Sequence, residues 1–130
     1  MNTRLLGIDF GTKRIGLSLT NESGDFALPL SVVENNKNIV QDILKICQEN
    51  SVNKIVIGDS KDSDGIDNNV MFYVKDFVSK FKDISGIEVV YHPEFFTSLQ
   101  AEHIQGKNNM LDASAATIIL QSYIDTNKTE

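Results

Sequence analysis

Leu5-Leu6-Gly7-Ile8-Asp9-Phe10-Gly11-Thr12-Lys13-Arg14-Ile15-Gly16-Leu17-Ser18-Leu19-Thr20 is two short apolar runs joined by a polar turn that opens on glycine. Runs of this length, bounded by turn residues, predict strands over 5–10 and 15–20 rather than a helix. A third run over 26–33 follows Asn21-Glu22-Ser23-Gly24, so the first third of the chain reads as a three-stranded antiparallel meander. One carboxylate, Asp9, interrupts the first strand just before its glycine turn.

Beyond the meander the period changes. Ile39, Val40, Ile43, Leu44, Ile46 and Cys47 fall on one face of a helix over 38–50, which should pack on the meander. Ile55-Val56-Ile57 within 54–58 has the uniform apolarity of a strand covered on both faces. A polar loop over 59–69 then leads to a helix over 70–82, with Val70, Val74, Phe77, Val78 and Phe81 at helical spacing. A strand over 87–91 is expected to be stopped by Pro93. Thr97-Ser98 can cap a helix running to about Gln105, and a last helix starts near Asn109 or Leu111 and continues to about Ile124. The order β-β-β-α-β-α-β-α-α predicts an α/β fold: a five-stranded mixed sheet with helices on both faces, in one domain over 1–130.

Composition bounds the function. With 130 residues, 41% hydrophobic and 23% charged, the chain matches a single ordered globular domain. A carboxylate at position 9 precedes any apolar run long enough for a signal peptide, and no stretch approaches the roughly 20 apolar residues of a membrane span. A single cysteine, Cys47, within a helical apolar pattern reads as a small buried hydrophobe in a reducing, cytoplasmic protein. The formal charge of −6 runs against a general nucleic-acid binder, which grips phosphate with clustered Lys and Arg. Net charge does not decide a local site, because carboxylates that hold cations are counted without their metal.

Three acids stand in apolar or small-residue settings. A buried carboxylate must be hydrogen-bonded, paired, metal-bound or neutral. For Asp9, capping the turn amides or pairing with Lys13 or Arg14 weighs evenly against function. Glu94 lies between His92-Pro93 and Phe95-Phe96, where, taken alone, a surface loop is the favoured reading. Asp112 opens Asp112-Ala113-Ser114-Ala115-Ala116; taken alone it is better read as a first-turn acid that favours the helix dipole, and the four small residues after it, which let a helix approach a sheet closely, shift this a little toward function. Brought together, three such carboxylates would repel and protonate unless they held cations, and hard oxygen ligands select Mg2+ or Mn2+.

The chain resembles the YqgF/RuvX family, whose members are described as pre-16S rRNA nucleases and, earlier, as Holliday junction resolvases. The resemblance rests on Gly7-Ile8-Asp9-Phe10-Gly11-Thr12-Lys13-Arg14-Ile15-Gly16, Ile55-Val56-Ile57-Gly58 with Asp64-Gly65, Glu94 with Thr97-Ser98, and Asp112-Ala113-Ser114-Ala115-Ala116 running into Ile119-Leu120-Gln121-Ser122-Tyr123. It implies a ribonuclease H-like fold and a hydrolase, a divalent-metal-dependent nuclease with Asp9, Glu94 and Asp112 as catalytic residues and metal ligands. Substrate would be met by Thr12, Lys13, Arg14, Phe95 and Thr97. The implied partner is RNA, a 16S rRNA precursor within a ribosomal precursor particle. The alternatives are branched DNA, or a non-catalytic binding module on the same fold. No membrane is involved, and the chain would be a monomer or weak homodimer.

The chain departs from the family pattern at Pro93 and Phe95, where members often carry an acid and an arginine. It also departs at Asp59-Ser60, in place of an apolar-Pro pair, and at 105–111, which holds only Lys107. These changes leave the triad intact and bear on substrate grip. Phe95 cannot hold a phosphate as Arg would, but it could stack on a base; alternation puts one of Phe95 and Phe96 in the core. Asp62-Ser63-Asp64-Gly65 has Ser60 and Met71 at ligand positions of a calcium loop, so a solvated turn is the better reading. His92 and His103 lack partners at zinc spacing. Actin-like ATPases share the first strand and turn, yet they close two such domains around a nucleotide, and 130 residues supply one.

Overall fold

The computed structural model describes residues 4–59, 69–93 and 111–128. Its elements are β1 (Arg4–Phe10), β2 (Arg14–Thr20), β3 (Ala27–Glu34), α1 (Ile39–Glu49), β4 (Val52–Asp59), α2 (Asn69–Ser85), β5 (Glu88–Pro93) and α3 (Leu111–Lys128). The strands form one sheet in the order β3-β2-β1-β4-β5. The meander is antiparallel, whereas β4 lies parallel to β1 and β5 parallel to β4. The expected mixed sheet is therefore present. The helix expected to end near Gln105 lies outside the described residues.

Alternation divides β1 between two layers, because successive side chains of a strand point to opposite faces. Leu6, Ile8 and Phe10 join Ile43, Cys47, Val74, Phe77 and Phe81 in the larger core, under α1 and α2. Leu5 packs with Val56, Ile119, Leu120 and Ile124 in the smaller core, under α3. Ile55, Val56 and Ile57 are all fully buried, as a strand covered on both faces requires.

Two expectations are corrected. The last strand spans Glu88–Pro93 rather than 87–91, and Pro93, expected to stop it, is its final residue, in register with Asp59. β5 is an edge strand, as is β3, which contains Pro29, and an edge tolerates a residue without an N–H. The last helix also runs past Ile124 to Lys128, because its polar end is tied back. Gln121 Nε2 donates to Asp125 Oδ1 at 3.0 Å, and Thr126 Oγ1 donates to the Ser122 carbonyl at 2.8 Å.

Candidate active site

The carboxyl ends of the parallel strands are where polar groups of such sheets gather. Asp9 is the penultimate residue of β1, opposite Gly16 of β2 and half-buried. Alternation sets it on the same face as Gly7, the face that carries α3.

Gly7 explains how a helix comes so near the sheet. A Cβ there would collide with Ser18 Oγ and lie 2.8 Å from Leu120 Cβ and 2.9 Å from the Ala116 carbonyl oxygen. The Ser18 hydroxyl, fully buried, donates to that same carbonyl at 2.8 Å. Near the amino end of β1 the helix is held by its later residues: Gln121 Oε1 accepts from the Ala27 amide at 2.8 Å, and Tyr123 Oη accepts from Lys54 Nζ at 3.3 Å. Thus α3 runs antiparallel to β1, and its first turn points toward the end that carries Asp9. Asp112 stands in that first turn, four residues and about 6 Å along the axis before Ala116. Its backbone is described; its side chain is not.

Glu94, Phe95 and Thr97 lie outside the described residues, as does His103. The last described residue before them, Pro93, ends β5 beside Asp59 at the carboxyl edge of the sheet. Among the described residues no three His, Cys, Asp or Glu side chains gather as a metal cluster.

Thr12, Lys13 and Arg14 are exposed at the turn between β1 and β2. Asn35 holds that turn: its amide donates to the Lys13 carbonyl at 2.9 Å and its Nδ2 to the Gly11 carbonyl at 2.8 Å. Sequence reading passed over Asn35, although an Asn-rich connection after a strand is a common source of such side-chain to backbone bonds. His92 shares a 2.9 Å hydrogen bond with Ser122 Oγ and stands edge-on to the Tyr123 ring, 5.8 Å between centroids. Desolvation lowers its pKa from the usual value. It joins β5 to α3, a role its sequence setting did not reveal.

Comparison with known proteins gives the same picture. The family model for RuvX, described as a Holliday junction resolvase, matches residues 3–126. A relative from Fusobacterium nucleatum, provisionally named a pre-16S rRNA nuclease, is 32% identical over 96% of this chain and 99% of its own. One from Caldanaerobacter subterraneus with the same provisional name is 34% identical over 96% of this chain and 98% of its own. Among solved structures, the RuvC protein of T. thermophilus bound to a Holliday junction substrate has a TM-score of 0.62 at 15% identity, covering 97% of this chain and 96% of that one. The Fowlpox virus resolvase with Holliday junction DNA has a TM-score of 0.63 at 11% identity, covering 95% and 98%. At such identities the structural likeness speaks for the fold.

Proposed function

Because the chain belongs to the RuvX family, a nuclease family, we propose that it hydrolyses phosphodiester bonds in structured RNA, in the maturation of a 16S rRNA precursor in the cytoplasm. The observation that carries this reading is relatedness over nearly the whole chain to proteins provisionally named for that substrate, at 32–34% identity. No helix among the described residues is long and apolar enough to cross a membrane.

Asp9, Glu94 and Asp112 act together at the carboxyl edge of the sheet and hold Mg2+ or Mn2+. The donor set fits such a cation: carboxylate oxygens are hard ligands, and Asp9 is half-buried on the face that α3 covers. A bound divalent ion supplies a water made acidic enough to attack at neutral pH, and charge to offset the leaving oxygen. The protein's own part is rigidity. β1 fixes Asp9 within a paired strand, the contact of Ala116 with Gly7 fixes the distance of α3, and Thr12, Lys13 and Arg14 present exposed donors to phosphate beside Asp9.

The test is cleavage of a structured RNA spanning a 16S precursor end, beside a four-way DNA junction, with Mg2+ or Mn2+ and with Asp9→Asn as control. Metal-dependent cleavage of RNA that Asp9→Asn abolishes is the expected result. Cleavage of the junction with RNA untouched would transfer the activity to DNA, the substrate named in the family's description. No cleavage of either would leave a binding module.

A further inference from the structure

Around the end of β1, on the face away from α3, a cavity of about 190 Å3 opens beside Phe10, the residue that follows Asp9. Its floor is aromatic, with the rings of Phe10 and Phe77 5.5 Å apart. Its rim is aromatic on one side only. There Tyr73, 51% exposed, lies edge-to-face with Phe72, 72% exposed, at 5.4 Å between ring centroids. Two adjacent aromatic rings so open to water, in the first turns of a helix whose other aromatics are buried, present flat apolar surface to solvent.

The opposite rim is polar and cationic. It comes from the connection between β3 and α1, where Asn36 and Lys37 are both exposed. Lys80, which also lines the cavity, is engaged by Asp76 at 3.0 Å. Lys37 forms no ion pair with any described residue, and α1 begins beside it at Asn38, which makes no side-chain cap. A cation next to the positive end of a helix dipole favours an anion there. Aromatic faces on one side and an uncompensated cation on the other match the two halves of a nucleotide, base and phosphate.

Position ties the cavity to the reaction. Asn35 lines it and also holds the Gly11–Lys13 turn, which follows Asp9 and Phe10 at the end of β1 and exposes Thr12 and Lys13, with Arg14 exposed at the start of β2. We propose that this cavity is a subsite for one unpaired nucleotide of the substrate strand, its base stacked on Tyr73 beside Phe72 and its phosphate facing Lys37. The strand crosses the Gly11–Lys13 turn from the phosphodiester at Asp9. The inference rests on the RNA nuclease reading above and adds where an acidic chain finds its grip.

The experiment measures binding of a fluorescein-labelled single-stranded RNA oligonucleotide by anisotropy in EDTA, where cleavage is stopped, with cleavage in Mg2+ assayed separately. Tyr73→Ala should weaken binding by about five- to a hundredfold, the range for losing one base stack, at an unchanged melting temperature. Tyr73→Phe should bind within twofold of wild type. Lys37→Gln should flatten the slope of log affinity against log salt by about 0.7, one phosphate on a single strand. Unchanged affinity in Tyr73→Ala, or equal losses in Tyr73→Phe and Tyr73→Ala, would overturn the subsite. So would a change of oligomeric state in Phe72→Ala with RNA affinity intact, since the rings would then serve a protein contact. If Tyr73→Ala binds normally and wild type still cleaves RNA, the subsite alone falls. If binding drops as expected in a chain that cleaves no RNA, the nuclease reading falls and the subsite stands. If wild type neither binds nor cleaves, both fall.

Discussion

Ser18 and Ala116, 98 residues apart in the chain, are joined by a buried hydrogen bond of 2.8 Å from the serine hydroxyl to the helix carbonyl. Gly7 lies beside this bond, with no room for a methyl group. Gly7→Ala should therefore push α3 outward and lose about 1–3 kcal/mol, as overpacking does. Ser18→Ala should lose about 1 kcal/mol, the net value of one hydrogen bond. Because the added methyl collides with Ser18 Oγ among others, the double variant should be less unstable than the two losses added. Urea midpoints of the four proteins check this, and strict additivity would mean that the two positions do not share a contact.

If Asp9 and Asp112 hold one divalent ion, Mn2+ at a hundredfold over its Kd should stabilise wild type by about 2.7 kcal/mol. Asp9→Asn, Asp112→Asn should fold without metal and gain none of this. Thermal melts with and without Mn2+ give the comparison, and an equal rise in both proteins would refute a shared site.

The order of the described strands and helices was legible because period and turn residues act locally: Ile55-Val56-Ile57 has the uniform apolarity of a doubly covered strand, and Gly11-Thr12 marks a break. Edges were harder. Pro93 marks the end of the strand, but that β5 continues from Tyr91 to include it follows from its place at the sheet margin, where a residue without an N–H is tolerated. The tail of α3 looks polar until Asp125 and Thr126 are seen bonded within the helix. At the site, Asp9 stood out as an acid in an apolar strand. Its relation to α3 did not, since it depends on Gly7, Ser18 and Ala116 meeting across the chain; the small residues 113–116 were the only local trace. The links from Asn35 to the Gly11–Lys13 turn and from His92 to Ser122 had no periodic signature at all.

Cys47 tests the core from the other side. It is 1% exposed among α1 neighbours and the sheet, and burial pushes its thiol from 9.0 up to about 12. The native state thus keeps a proton that the unfolded chain gives up above pH 9, so this contribution is whole below pH 9 and is lost as pH rises toward 12. Stability measured from pH 8 upward should fall more steeply in wild type than in Cys47→Ala. The native thiol should also resist alkylation at pH 8 until denaturant is added; rapid labelling of the folded protein would show that α1 does not cover it.

The bond between His92 and Ser122 joins the strand that leads into Glu94 to the helix that carries Asp112. The strand that precedes one proposed metal ligand is thus tied to the helix that carries another, through a contact that involves neither. Groups bonded directly to metal ligands change metal affinity by about 10–100-fold when removed, and a contact one step further out should act at the low end of that range. Ser122 is exposed and its hydrogen bond lies at the surface, so Ser122→Ala should cost well under about 1 kcal/mol of stability. The same variant should raise the Mn2+ Kd by about tenfold. Ser122→Thr keeps a hydroxyl at the position and should recover most of the affinity. Mn2+ titrations followed by calorimetry, beside urea melts of the metal-free proteins, separate the two effects. A Ser122→Ala protein that binds Mn2+ as wild type does would show that β5 and α3 hold their ligands independently of this contact.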